Sequence, residues 1–217
     1  MLQLNHRTVG SQNSHKGGQS VISTKEKIKK EAFSLFAQKG YYGTSIRDIT
    51  GAVGITKSSL YSHYPGKDEL FLAVFEDVVH ELGKLFGRLL DDSKDMEIHD
   101  RLRYIFKEYI LYFCRRPEIQ RFTNMSFFHV PPELFDKIRS NYLTWEKPYR
   151  KRLEDIFAEG MQQEIIRKGN PEAKGWSFKT KLDGVIGWLS TSTDLPKDYI
   201  EDFWNDFWFG MIKKKEK

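Results

Sequence analysis

The chain has 217 residues and a mass of 25.6 kDa, which suits one compact body with a small appendage. It lacks both the run of about 20 apolar residues that crosses a membrane and the apolar centre of a secretory signal near its N-terminus. Its single cysteine, Cys114, excludes an internal disulfide, and the amphipathic sequence around it predicts a buried thiol. We therefore expect a cytoplasmic protein that does not contact a membrane.

The net charge of +5 is distributed unevenly along the chain. Residues 1 to 67 carry ten Lys and Arg against three acidic residues, a balance of +7, so the remaining 150 residues carry −2. This asymmetry favours contact between the N-terminal part and a polyanion. From charge alone, the alternative is a basic surface that contacts only solvent.

The periodicity of apolar residues predicts an all-α fold behind a polar tail. Residues 1 to 22 are rich in Gly, Ser, Gln and His and predict a disordered tail. Beyond them apolar residues recur at helical spacing, without strand-like alternation. The predicted helices span residues 24 to 39, 45 to 52, 56 to 64, 68 to 92, 97 to 115, 117 to 129, 132 to 163, 175 to 191 and 197 to 214. We expect one domain over residues 23 to 67 and a second over residues 68 to 217.

The second and third predicted helices are short and meet at a turn containing Gly54. Thr56 is a natural N-cap of the third helix, and Pro65 ends it. This arrangement is typical of a helix-turn-helix, whose second helix enters the major groove of DNA. At about 100° per residue, Leu60 and Tyr64 face the core of this unit. On the opposite arc, free to reach DNA, lie Lys57, Ser58, Tyr61 and Ser62, with Ser59 and His63 at its edges.

Residues 32 to 70 resemble the N-terminal signature of the TetR/AcrR family of bacterial one-component regulators. The run reads AFSLFAQKGYYGTSIRDITGAVGITKSSLYSHYPGKDEL. The matching residues are Leu35, Phe36, Gly40, Tyr41, Thr44, Ser45, Ile46, Ile49, Ala52, Gly54, Ile55, Leu60, Tyr61, His63, Tyr64 and Lys67. The rest of the chain matches the family only in length and helix pattern.

The resemblance implies roles for individual residues of this unit. Those that would read bases or line the groove are Lys57, Ser58 and Tyr61, with Ser62 beside them. Those that would contact phosphates are Thr44, Thr56, Tyr61, His63 and Lys67, while Arg47 would contact a base or the backbone. Thr50 and Ser58 stand where alanine and glycine are usual, so the operator sequence stays open.

The last two predicted helices are expected to pair with a second copy of the chain. Apolar residues of the ninth helix spread over about 180° of its surface, wider than one core-facing stripe needs. Gly184 and Gly187 in the eighth helix permit close approach. Two such helices from each of two chains would form a four-helix interface, and the resemblance implies a dimer at the same place. The alternative is that these residues form a larger core within one chain. The interface residues expected are Val185, Trp188, Leu189, Phe203, Trp204, Phe207, Trp208 and Met211.

The fourth to seventh predicted helices are rich in aromatic residues, most of which must be ordinary core. Helical bundles also enclose ligand cavities, and the resemblance implies an effector site there. The lining residues expected are Tyr109, Phe113, Met125, Phe128, Tyr142, Trp145 and Tyr149. Such a lining suits an apolar or aromatic effector, including a cationic one. No metal site or cofactor is expected.

These features together predict a ligand-responsive transcriptional regulator. Its expected partners are a palindromic double-stranded DNA operator, a second copy of the chain and a small-molecule effector. Repression is the expected output, relieved when the effector favours a state in which the fourth helix swings the DNA-binding heads apart. An enzyme is disfavoured because the chain lacks His-Glu-x-x-His, Gly-x-Ser-x-Gly and phosphate-loop motifs. A ligand-independent adaptor that binds DNA and recruits a protein stays the alternative.

Overall fold

The computed structural model describes residues 23–189 and 197–212, and in this part of the chain the regular elements are helices. The helices are α1 (Thr24–Lys39), α2 (Ile46–Val53), α3 (Lys57–Tyr61), α4 (Lys67–Asp92), α5 (Ile98–Arg115), α6 (Pro117–Phe128), α7 (Pro132–Gln162), α8 (Pro171–Leu189) and α9 (Lys197–Phe209). The all-α prediction is confirmed. The predicted N-terminal tail and the predicted helix ends beyond residues 189 and 212 lie outside the described residues. None of the described helices is long and apolar enough to cross a membrane.

The first three helices begin where the sequence supplies caps. The Ser23 hydroxyl accepts a hydrogen bond from a backbone N–H in the first turn of α1 (3.2 Å). Ser45 and Asp48 form a reciprocal capping box at the start of α2. The Thr56 hydroxyl caps α3 by accepting from a backbone N–H at 3.2 Å. Gly54 ends α2 with φ 77°, a left-handed conformation that glycine adopts without strain.

Three local predictions differ from the structure. Helix α3 ends at Tyr61 and continues as a turn, because the N–H groups of residues 63 and 64 both bond the carbonyl of Leu60. Helix α8 begins at Pro171, where proline suits the first helical position and the Asn170 side chain accepts from a backbone N–H at 3.2 Å. Cys114 is exposed. The prediction of a buried thiol was wrong, because other positions of α5 form the buried face.

Helix α4 runs through the middle of the molecule and packs against α1, α5, α6 and α7. Helix α7 packs on α4 and α8, while α5 contacts α8 and α9. Three buried rings connect the N-terminal helices to this body: Phe71 of α4 lies 5.0 Å from Phe36 of α1 and 5.4 Å from Phe122 of α6, between ring centroids. Phe33 of α1 also contacts Phe122, at 5.4 Å. The α1–α3 unit, hereafter the head, therefore rests on both α4 and α6.

Candidate DNA-binding surface and effector cavity

Helix α3 divides into a buried face and an exposed face. Leu60 is fully buried and Tyr64, just beyond the helix, is 4% exposed, so both belong to the core as predicted. Lys57 and Ser58 are exposed, and the Tyr61 side chain retains 49% of its accessible surface. A cation, a hydroxyl and a phenol therefore project from one short helix. These groups hydrogen-bond base edges and phosphates of DNA.

Further polar side chains on and around α2 and α3 are exposed. Arg47 of α2 is exposed, as are Thr56, Ser62 and His63 around α3. The Ser62 hydroxyl donates to the carbonyl of Ser59 at 2.7 Å, which leaves its oxygen able to accept. The turn between α2 and α3 brings these residues together, as the helix-turn-helix arrangement requires.

Thr44 is not placed for the predicted phosphate contact. Its side chain is 1% exposed, and its hydroxyl donates to the carbonyl of Gly40 at 2.8 Å. The hydroxyl therefore stabilises the turn between α1 and α2 instead of facing solvent. The sequence pattern gave the position but not the orientation of this side chain.

Lys67 opens α4 at the junction between head and body. Its Nζ lies 4.0 Å from the ring centroid of Tyr41, and burial lowers the pKa of Lys67. The Tyr41 hydroxyl donates to the carboxylate of Asp68, the next residue of α4. Burial and this hydrogen bond both raise the pKa of Tyr41, so its phenol stays neutral. Tyr41 thus attaches the head to the first turn of α4.

A small cavity of about 70 Å³ is lined by α4, α5, α6, α7 and α8. Four of the predicted ligand residues line it: Tyr109, Tyr142, Trp145 and Tyr149. The ring of Tyr149 packs against α4 at two glycines, where a Cβ built on Gly83 would lie 3.0 Å from the ring and one on Gly87 3.1 Å. Glycine at both positions therefore lets this ring approach the helix backbone.

A larger open cleft of about 780 Å³ adjoins the cavity and lies between α5, α6, α7 and α8. It shares Tyr109 and Tyr142 with the cavity and adds Phe113. Phe128 stands at its edge with 79% of its surface exposed. Met125 lines neither space; its side chain is buried near Gly40 and the head. Six of the seven predicted ligand residues therefore surround two connected spaces.

Lys179 of α8, which sequence reasoning missed, lines both spaces and forms an ion pair with Asp183 one turn later. Burial alone would lower the pKa of Lys179, but Tyr142 and Asp183 beside it outweigh burial and raise that pKa. Burial raises the pKa of Tyr109 and of Tyr142. The lining thus presents neutral phenols and an ammonium that is paired with the carboxylate of Asp183. The sequence signal that could have identified Lys179 is its i,i+4 spacing from Asp183 within an otherwise apolar helix.

The exposed faces of α8 and α9 border an open groove of about 890 Å³. The predicted interface residues that line it are Val185, Trp188, Phe203 and Phe207. Trp188 is 57% exposed, while Tyr199 and Trp176, which also line the groove and were not predicted, are 48% and 42% exposed. Leu189 and Trp208 are partly buried in the core of the protomer. Large apolar side chains are therefore concentrated on this face.

Three predicted interface residues lie inside the protomer, and one of them, Val185, is 6% exposed although it also borders the groove. Trp204 is 1% exposed, packs on Phe106 with ring centroids 5.7 Å apart, and donates from Nε1 to Nε2 of His99 at 3.2 Å. Met211 is 7% exposed, with its sulfur 3.8 Å from Nζ of Lys174. The wide apolar arc of α9 thus contains one stripe for the protomer's own core beside the exposed one.

A helix-turn-helix with an exposed polar recognition helix, joined to an all-helical body with a cavity, defines a DNA-binding transcriptional regulator. Residues 28–74 match the family described as "Bacterial regulatory proteins, tetR family". This match covers most of the head and the first turns of α4, and over these residues the chain is similar to that family of bacterial regulators.

A curated relative and two solved structures are similar to most of the chain. The biofilm operon negative transcriptional regulator IcaR of Staphylococcus epidermidis is 24% identical over 190 residues, which cover 84% of this chain and 98% of IcaR. The fold is similar to that of FadR from Bacillus subtilis, with a TM-score of 0.69 at 17% identity over 85% of this chain and 97% of FadR. AibR gives a TM-score of 0.61 at 24% identity over 83% of this chain and 95% of AibR.

Proposed function

We propose that the protein represses transcription as a homodimer on a palindromic operator and that a small apolar effector in its body releases it from DNA. The observation that carries this proposal is the course of α4. Its first turn contacts the head through Lys67 and Asp68, and its later turns, including Phe75 and Gly83, line the cavity. One helix therefore contacts both sites, as coupling between them requires.

The named partners of similar proteins support the proposal. IcaR is a negative regulator. AibR was solved with isovaleryl coenzyme A and operator DNA, and FadR with stearoyl-CoA. Ligand and operator DNA are thus bound together in one similar protein, AibR.

In the proposed complex, α3 lies in the major groove. Lys57, Ser58 and Tyr61 contact base edges or line the groove, with Ser62 beside them. Phosphates are held by Thr56, His63 and Lys67, and Arg47 contacts a base or the backbone. A palindrome requires two such helices about 34 to 36 Å apart, which needs a dimer. The exposed apolar face of α8 and α9 is the proposed interface.

The size of the small cavity suggests how an effector moves the head. Its volume of about 70 Å³ is well below the roughly 300 to 1,000 Å³ of small-molecule sites. An effector that extends from the cleft into it must therefore separate α4 from α7 or displace the Tyr149 ring. Either change shifts α4, whose first turn holds the head.

The experiment starts with an operator selected from random duplexes by repeated binding. Light scattering during size-exclusion chromatography measures the mass of the free protein, and fluorescence anisotropy measures operator affinity with stearoyl-CoA or isovaleryl-CoA present. We expect a dimer and a loss of affinity when a body-bound ligand is added. Unchanged operator affinity with a ligand demonstrably bound to the body would instead favour the ligand-independent adaptor.

A further inference from the structure

The open cleft contains a buried amide that has no partner. Gln120 of α6 lines the cleft and is 2% exposed. Among the described residues, none accepts a hydrogen bond from its Nε2, which is shielded from solvent. Buried polar groups in proteins are nearly always hydrogen-bonded, so an unpaired donor beside a cleft needs an explanation.

The other polar groups of the cleft are largely engaged within the protein. The Thr123 hydroxyl donates to the carbonyl of Ile119 at 2.6 Å. Asp183 is paired with Lys179. Arg139 lies exposed on the cleft and forms no ion pair with any described residue. Uncommitted groups of the cleft therefore include two donors, the Gln120 amide and the Arg139 guanidinium.

We propose that the cleft binds an apolar ligand that carries a carbonyl or carboxylate oxygen and that Gln120 donates a hydrogen bond to this oxygen. The inference rests on the effector site proposed above and specifies its chemistry. The rings of Phe113, Phe127 and Tyr142 on the cleft wall enclose the apolar part of the ligand. Arg139, which forms no ion pair with any described residue, favours an anionic ligand over a cationic one.

The test uses two ligands of the same shape, acetylnaphthalene and isopropenylnaphthalene, which differ in having a carbonyl oxygen or a methylene group. Equilibrium dialysis measures their affinities for the full chain without DNA. We expect the ketone to bind about tenfold more tightly, because its oxygen supplies the acceptor that the Gln120 amide lacks in the free protein, whereas the alkene supplies none. In Gln120→Leu, which keeps the volume but removes the donor, the ratio should fall to about one. The exposed Gln162→Leu is the matched control and should keep the wild-type ratio.

Equal affinities in the wild type, a ratio that survives in Gln120→Leu, or no binding of either ligand would each overturn the inference. If Gln120→Leu fails to fold, a wild-type ratio of about one still refutes the inference, and a ratio of about ten that survives in Arg139→Gln assigns the donor to Gln120. A third ligand, naphthoate, separates the two oxygen chemistries. Tighter binding of naphthoate than of the ketone, lost in Arg139→Gln, identifies a carboxylate; equal binding identifies a neutral carbonyl.

Failure of the proposed function would look different. If the ligands discriminate through Gln120 but leave operator affinity unchanged, the ligand chemistry stands and effector control does not. If a ligand releases DNA while Gln120→Leu discriminates as well as the wild type, effector control stands and the role of Gln120 is refuted.

Discussion

Replacing Lys67 with alanine tests whether the first turn of α4 contacts DNA. Lys67 is partly exposed at the junction of head and body, with its ammonium 4.0 Å from the ring centroid of Tyr41. If this ammonium also meets a phosphate, its removal weakens binding to all sequences equally, because phosphates carry no base information.

The expected magnitude follows from counterion release. Each phosphate contact contributes about 0.9 to the slope of log affinity against log salt. A dimer carries two copies of Lys67, so the slope should flatten by about 1.8. Between about 50 and 200 mM salt, the variant should therefore lose about 12-fold less affinity than the wild type.

Fluorescence anisotropy at several salt concentrations, on the selected operator and on an unrelated duplex, measures both slopes. Lys84→Ala is the matched control, because this exposed lysine of the same helix lies about 26 Å further along its axis. A slope unchanged in Lys67→Ala would refute the phosphate assignment. Thermal unfolding separates this effect from the lost contact with Tyr41, for which we expect a loss of about 0.5 to 1 kcal/mol.

Three further predictions concern the stability of the body. Trp204→Ala should lower the free energy of unfolding by about 3 to 5 kcal/mol, measured by urea denaturation, because the ring is buried in the protomer. Gly83→Ala should destabilise by about 1 to 3 kcal/mol in the same assay, because its Cβ would meet the ring of Tyr149 at 3.0 Å. Burial would raise the pKa of Glu201, but its bonds to Arg103 and Lys107 lower that pKa below 4.5. Ionised Glu201 therefore stabilises the fold above pH 4.5, and this stabilisation is lost as the pH falls. In urea denaturation at several pH values, Glu201→Gln should be less stable than the wild type above pH 4.5 and should lose less stability below it.

Matched variants make these predictions specific. Trp188→Ala alters an exposed tryptophan, so it should weaken dimerisation with little effect on protomer stability. If Trp204→Ala behaved the same way, its placement in the protomer core would be contradicted. Gly51→Ala in α2 meets no atom within 4 Å and should stabilise by up to about 1 kcal/mol. Glu76 is exposed and forms no ion pair among the described residues, so Glu76→Gln should leave the loss of stability at low pH unchanged.

Helix positions could be predicted from the sequence because caps and breakers act locally. Ser23 and Thr56 lie at the starts of predicted helices, and Gly54 at an end, and their geometry depends on a few neighbouring backbone groups. The buried and exposed faces of α3 could also be predicted, since helical spacing alone places Leu60 and Tyr61 on different faces.

Tertiary placement could not be predicted in the same way. The helical wheel shows that α9 has a wide apolar surface but not which part of it the protomer covers, and this is why Trp204 was assigned to the dimer interface. Thr44 matches the family signature, but the sequence does not show that its hydroxyl donates to the carbonyl of Gly40. Gln120 has no sequence signal, because its unpaired amide results from the packing of helices distant in sequence.

The contacts of α6 constrain how a signal from the body reaches the head. Because Phe33 and Phe36 of the head rest on Phe122 and Phe71, a swing of α4 alone would separate the head from α6. Helices α4 and α6 must therefore move together, or the aromatic contact must break. Gln120 precedes Phe122 by two residues, so α6 lines the cleft and contacts the head within one helical turn. A ligand held by Gln120 would thus act on the head through α6 as well as through α4.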